Sequence, residues 1–347
     1  MKAAYFTGAG GPEVIEYGDL PEPIVGKNEV KIKIYASGLN HLDIFVRNGI
    51  PGLKLSYPHV GGSDMAGEIV EIGDNITDIS VGTKVLVNPG FGCGKCKACI
   101  SGEESLCKRF ALYGEHVWGG MAEYAVVRAD KVLPYPEKKI TPIEAAAAPL
   151  VTLTAYRELY TQGNLRPGQT VVILGAGSGV STVGIQLAKL AGAKVIATTS
   201  SKEKEKKAYE LGADYVINYV DTPNWDKEVY NLTNKQGAEL IVDNVGVATW
   251  KKSLRAVSKG GRIVTVGATT GSMVETDIRM VFWKQIHIIG STMSSQREFL
   301  EAMQLVFEGK IKPVIDRTFP LEKLREAHKY LEAGKQFGKV VITVKAK

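Results

Sequence analysis

Apolar positions change their period along this chain. In the first 135 or so residues they alternate with polar ones: Val30, Ile32, Ile34 and Ala36 interleave with Lys31, Lys33 and Tyr35, as in a half-buried strand. Residues 68–72 and Lys84–Val87 are read as further strands. A short helix is predicted at 41–47, with Asn40 and Asp43 at its start and Gly49 at its stop. Thr141-Pro-Ile-Glu144 has the form of a capping box with proline at the first helical position, opening a helix through the alanines that follow. That helix is taken as the bridge between two domains.

Beyond it the pattern becomes that of buried strands and helices in alternation. Residues 170–174, TVVIL, form an unbroken apolar run rich in β-branched side chains, suited to a strand covered on both faces of a parallel sheet. Small residues occupy 175–181, after which Val183, Ile185, Leu187, Ala188 and Leu190 follow a helical period until Gly192. Strands at 194–198, Tyr215–Asn218, 240–243 and 262–267 come next, with helices between them. The prediction is an α/β chain: a doubly wound parallel sheet over 151–290, a β-rich domain over 1–150, and a return over 291–347 with an amphipathic helix at 321–331 and a strand at 339–344. No repeat or low-complexity tract interrupts it.

Composition narrows the class. At 347 residues, 44% apolar and 23% charged, the chain suits two soluble globular domains. The net charge of +6 is spread out, apart from KEKEKK at 202–207, which argues against a nucleic-acid surface. The opening MKAAYFTGAG lacks the apolar stretch of a signal peptide and no run is long enough for a membrane span, so a cytoplasmic protein with a small-molecule substrate is expected.

Strand, glycine-rich turn, helix and strand in succession offer free N–H groups and a positive helix end to a pyrophosphate. The G-x-G-x-x-G register from Gly175 through Gly177 has Val180 in place of its third glycine, but Ala176, Gly177, Ser178, Gly179 and Ser181 are all small. Residues 176–180 are therefore candidates to cradle phosphate. An acid about 20 residues past such a turn would bind the adenosine ribose of NAD. Counting from Gly179 leads instead to Thr199 in ATTSS, followed by Lys202-Glu-Lys204. Hydroxyls and an ammonium suit a 2′-phosphate, so NADPH is expected, with Ser200 and Lys204 among the residues that read it.

All four cysteines lie within fifteen residues, as Cys93-x2-Cys96-x2-Cys99-x7-Cys107. Four thiolates complete a tetrahedral zinc shell, and a structural Zn²⁺ in a lobe at about 91–110 is expected. A disulfide pair or an iron–sulfur cluster is the other chemistry such a set supports.

These features together resemble the medium-chain dehydrogenase/reductase superfamily. The resemblance covers nearly the whole chain: GGSDMAGEIVEIG at 61–73, the cysteine lobe, GGMAEYAVV at 119–127, TAYREL at 154–159, GAGSGV at 175–180, LGADYVINY at 211–219 and FGKVVITV at 337–344. It implies a GroES-like partial barrel for the catalytic domain, a Rossmann domain, and a nicotinamide cofactor touched also by Thr154, Tyr219, Asn244, Gly246, Val266, Gly267 and Lys339. Zinc alcohol dehydrogenases of this superfamily hold a catalytic metal through cysteine, histidine and a further cysteine or acid. Here Asn40 stands for the first cysteine and Ser63-Asp64 for His-Glu, and residues 149–154 contain no cysteine. LNHLD at 39–43 is instead similar to the quinone oxidoreductase branch, which lacks that metal, although Phe45 stands where a tyrosine is often found.

The reading is thus a reductase of quinones or of the C=C bond of α,β-unsaturated carbonyls, with Asn40, Asp43 and Asp64 as catalytic candidates and Asn40 as donor to a developing oxyanion. An alcohol dehydrogenase with an unusual metal site, built from Asp64 with His41 or His59, is the first alternative. A nucleotide-binding protein with little catalysis is the second. His41 and His116 are placed near the active site by the resemblance, and His59, His287 and His328 in packing or at the surface. Residues 285–294, QIHIIGSTMS, are expected to pair with their copy in a homodimer or homotetramer.

Overall fold

The run read as a doubly covered strand is Thr170–Ile173, third of six in a parallel sheet. The order across the sheet is Tyr215–Asn218, Lys194–Thr199, Thr170–Ile173, Ala238–Val242, Val257–Thr265 and His287–Gly290, so strand order reverses on either side of Thr170–Ile173. A phosphate-binding turn belongs at such a reversal. Val171, Val172 and Ile173 are almost fully buried, which is why their sequence shows no alternation. The structure is a computed structural model that describes residues 1–344. The chain folds as two compact units, one of Met1–Leu150 with the return from Ser294 on, and a second of Val151–Met293.

The helix after the glycine turn spans Gly179–Leu190, with Ser178 as its cap accepting from Ser181 N–H. It begins earlier than the apolar period indicates, because its first turn is made of small residues that carry no period. Two elements of this unit have no signature in the sequence. One is a π-helical turn, Arg157–Gln162, continuing the helix Pro149–Tyr156. The other is the helix Ile278–Lys284, whose Ile278, Phe282 and Trp283 are exposed while Met280 and Val281 pack against the core, so that apolar residues lie on both sides and show no stripe. Of residues 285–294 only His287–Gly290 is strand, and it lies at the sheet's edge.

The first unit is built on a seven-stranded, mostly antiparallel sheet. Its order is Ile315–Pro320, Lys339–Thr343, Glu29–Leu39, Asp64–Ile72, Lys84–Val87 and Val132–Pro134, with Tyr124–Arg128 also paired to Glu29–Leu39. The last strand of the chain therefore lies beside the long central one, in register Leu39↔Val340, while Gly38 pairs with Asp64. That register brings Asn40, Asp64 and Lys339 to one end of three adjacent strands. Helix His41–Asn48 ends at Gly49, and the capping box at Thr141 opens Pro142–Ala147, as read from sequence. The amphipathic stretch becomes a 3₁₀ turn, Leu321–Lys323, and the helix Leu324–Glu332. No helix among the described residues is long and apolar enough to cross a membrane.

Candidate functional site

Where the three strands end, a buried polar cluster replaces apolar packing. Asn40, Asp64 and Lys339 are 7%, 0% and 3% exposed. Lys339 Nζ donates to Asn40 Oδ1 at 2.6 Å and to Asp64 Oδ2 at 3.0 Å. Asn40 Nδ2 donates to the same Asp64 Oδ2 at 2.9 Å and to Gly38 O at 3.2 Å, and Leu150 N–H donates to Asp64 Oδ1 at 2.8 Å. A Cβ on Gly38 would stand 3.0 Å from Asp64 Cβ and 2.5 Å from Ala146 O, so only glycine lets the carboxylate settle there. Lysine is an obligate donor, which fixes Asn40 with its oxygen toward Lys339.

Donor counting then distinguishes the members. Both amide protons of Asn40 are committed, to Gly38 and Asp64. Lys339 has three protons, two of them committed, so one N–H remains for a ligand. The cluster's available donor is thus Lys339, whose ammonium, grouped with the cofactor residues in the sequence reading, lies in this unit against Asn40 and Asp64.

Asp43 supports the cluster from beneath. Its carboxylate accepts from Asn40 N–H and Gly62 N–H, both at 2.8 Å, and burial raises its pKa to about 6 against the pull of those donors. Asn40's backbone precedes helix His41–Asn48, while its side chain faces the cluster. His41 is held below its ordinary pKa by burial and by the Lys339 charge, which keeps its imidazole neutral at pH 7. Ser63 Oγ is buried with no partner among the described residues.

The other histidines are taken up elsewhere. His59 Nε2 lies 3.1 Å from Gly114 O and its ring stacks on Phe6. His116 Nδ1 accepts from Leu112 N–H, His287 is exposed on the edge strand, and His328 contacts Arg47 Nη1 in the core. Among the described residues, the four cysteines are the one group of three or more possible ligands that converges; Asp64 does not meet His41 or His59 in such a group.

The cysteine sulfurs all lie within 4.8 Å of one another, with Cys96 and Cys99 3.6 Å apart. Tetrahedral zinc with Zn–S bonds of about 2.3 Å separates its sulfurs by about 3.8 Å, so the set fits that ion. Burial pushes the Cys99 thiol up to about 11, while the Lys95 N–H holds Cys93 down to about 5. Four thiolates this close would call for a cation among them. A Cβ on Gly92 would stand 2.6 Å from Cys99 Sγ, so glycine is needed for the ring of sulfurs to close.

In the second unit the glycine turn leaves donors free. Ala176 N–H is taken by Thr198 O, and Ser181 N–H by the Ser178 cap, whereas Gly177, Gly179 and Val180 N–H have no chain partner among the described residues. These three and the helix end fit a pyrophosphate. At the end of Lys194–Thr199, Thr199 Oγ1 is buried without a partner among the described residues; Ser200 and Lys204 are half-buried and Tyr219 is 43% exposed. Thr154 is buried on Pro149–Tyr156. Gly246, at φ +89°, donates to Asp243, and Thr265 Oγ1 donates to Gly267 O. Asn244 Oδ1 accepts from Val266 N–H at 2.9 Å and its Nδ2 donates to Glu158 Oε2 at 3.3 Å. Glu158 was missed by sequence reasoning; an acid between apolar helix positions in TAYREL is its signal.

Two family models match the chain, an alcohol dehydrogenase GroES-like domain over residues 26–137 and a zinc-binding dehydrogenase over 179–308. An NAD-dependent alcohol dehydrogenase of Sulfolobus acidocaldarius is 34% identical, over 99% of this chain and 100% of its own. An acryloyl-coenzyme A reductase of Sulfurisphaera tokodaii is 35% identical over 93% and 95%. A crystal structure of an NAD-dependent alcohol dehydrogenase superposes with a TM-score of 0.96 at 42% identity, covering 99% of this chain and 100% of that one.

Proposed function

The chain belongs to the medium-chain dehydrogenase/reductase superfamily and is an oxidoreductase, and from that premise we propose that it reduces the C=C bond of α,β-unsaturated carbonyls, or quinones, with NADPH and without a catalytic metal. The observation that carries this reading is Lys339. At the positions where zinc alcohol dehydrogenases place metal ligands, the chain has an asparagine and an acid, and an ammonium sits between them. One buried cation leaves no reason for a second at the same carboxylate.

The chemistry follows from what this cluster can do. Reduced nicotinamide supplies the hydride. The acceptor's β-carbon receives it, and negative charge moves to the carbonyl oxygen. The third N–H of Lys339 is a donor for that oxygen, and with only 3% exposure it acts where water competes little. Asp64 and Asn40 fix the ammonium, while Asp43 fixes Asn40. The α-carbon takes its proton from water. A saturated alcohol has no comparable route, because removing its hydroxyl proton calls for a base or a Lewis acid and the cluster offers a cation already paired.

NADPH rather than NADH is supported by the absence of any acid at 198–201 and by the hydroxyls and Lys204 that stand there. The test is oxidation of NADPH and NADH with a panel of enones, enoyl thioesters and quinones, beside oxidation of alcohols with the oxidised cofactors. Turnover of an activated alkene or quinone is expected. Turnover of alcohols alone would reverse the reading, and binding without turnover of any acceptor would leave a nucleotide-binding protein.

A further inference from the structure

We propose that Glu158 is a positioning residue for the nicotinamide half of the cofactor, acting through Asn244; this rests on the reading that the second unit binds a nicotinamide dinucleotide. Sheet order gives the direction. The pyrophosphate turn follows Thr170–Ile173, and the adenosine ribose falls at the end of Lys194–Thr199 on one side. The remaining half of the dinucleotide must then lie over the ends of Ala238–Val242 and Val257–Thr265 on the other. Asn244 and Val266 are the residues just past those two ends.

Their hydrogen bonds form a chain with only one possible sense. Val266 N–H can only donate, so Asn244 must turn Oδ1 toward it, at 2.9 Å. Asn244 Nδ2 then faces Glu158 and donates to Oε2 at 3.3 Å. Glu158 is completely buried, and its Oε1 has no partner among the described residues. Burial raises its pKa to about 8, so the carboxyl is neutral at pH 7 and its proton sits on Oε1, since Oε2 accepts. The residue stands in the π-helical turn Arg157–Gln162, a distortion often found at functional sites.

Apart from burial, the Asn244 amide is what acts on the Glu158 carboxyl, and no charged side chain among the described residues does. Lys189 of the helix after the glycine turn holds Asp214, and Arg262 of Val257–Thr265 donates to Gln169. Asp243, beside Asn244, accepts from Val245, Gly246, Thr249 and Ser253. Arg157 neighbours Glu158 in the same turn. An ionised Glu158 would thus put a charge with one neutral donor, Asn244, in a fully buried place, drawing water into the turn and pulling Asn244 from its place beside Val266.

The experiment is calorimetric titration of NADPH and NADH between pH 7 and 9, with ADP-ribose and its 2′-phosphate as fragments lacking nicotinamide. If only the protein with neutral Glu158 binds the full cofactor, its Kd should rise about tenfold over this range in the wild type. Fragment affinity should stay level. Glu158→Gln, neutral at every pH and still able to accept from Asn244, should abolish the rise and keep the wild-type Kd at pH 7. Glu158→Ala should weaken the full cofactor at every pH and spare the fragments. Fragment binding with no pH step in the wild type, or with the step retained in Glu158→Gln, would overturn the proposal and leave the cofactor reading standing. Fragments that do not bind would remove both.

Discussion

At the end of the strand Lys194–Thr199, cofactor choice rests on single side chains. A carboxylate there would repel a 2′-phosphate, and 198–201 offers only Thr and Ser, followed by Lys204 on the helix Lys202–Glu210. A charge-assisted contact contributes about 1.5–3 kcal/mol, so Lys204→Ala should weaken NADPH about ten- to a hundredfold and leave NADH nearly unchanged, measured as Kd for each. Equal losses for both would show that Lys204 does not read the phosphate. Glu158 gives stability a pH dependence. Its folded pKa, about 8, lies above the ordinary 4.5, so its contribution to stability is complete below pH 4.5 and is lost as the pH rises through 8. Thermal melts should show wild-type stability falling relative to Glu158→Gln across that window; parallel curves would contradict a neutral buried acid. Asn40 and Asp64 were legible in the sequence because they occupy motif positions where another chemistry would need cysteine and an acid. Lys339 was visible as a residue but its place was not, because only strand register brings residue 339 beside residue 40.

Among elements, the cysteine lobe is the most self-contained. Two short strands, Gly90–Phe91 and Ala111–Leu112, close it, and apart from the helix Lys97–Ile100 and a 3₁₀ turn little regular structure holds it. A metal held by its four cysteines would supply the order that regular structure does not. We expect one zinc per chain by elemental analysis, and chelation should lower the melting temperature; a second tightly held zinc, or iron in its place, would contradict this account. The lobe also meets the start of helix Gln296–Phe307, where Glu104 Oε2 accepts from Gln296 N–H at 3.2 Å, so metal loss should disturb that helix end as well. The cysteine spacing made the lobe legible outright. Strands with alternating or continuous apolar character and helices with explicit caps were legible too, as at Thr170–Ile173 and Pro142–Ala147. The helix Ile278–Lys284 was not, since its apolar residues lie on both sides, Phe282 and Trp283 outward and Met280 and Val281 against the core, and leave no period to read.

For the whole molecule, those outward residues pose an assembly question. His287–Gly290 ends the parallel sheet with one edge unpaired among the described residues, Ile288 is 43% exposed, and Phe282 and Trp283 stand exposed just before it at 61% and 76%. We propose that two copies pair these edges across a two-fold axis, covering the exposed rings and strand edge at once. Light scattering at micromolar concentration should report a dimer or tetramer, and replacing Ile288 with lysine should shift it toward monomer; a monomeric wild type would contradict the proposal.

The proposed chemistry turns on an internal ammonium standing in for a catalytic metal. The most direct test is the kcat/KM of Lys339→Met with an enone, measured beside its Kd for NADPH. Loss of one preorganised donor to a developing oxyanion should lower kcat/KM about a hundredfold, with Kd unchanged and no recovery on adding zinc. Wild-type kcat/KM in the variant, or a loss confined to NADPH affinity, would contradict it and return Lys339 to the cofactor.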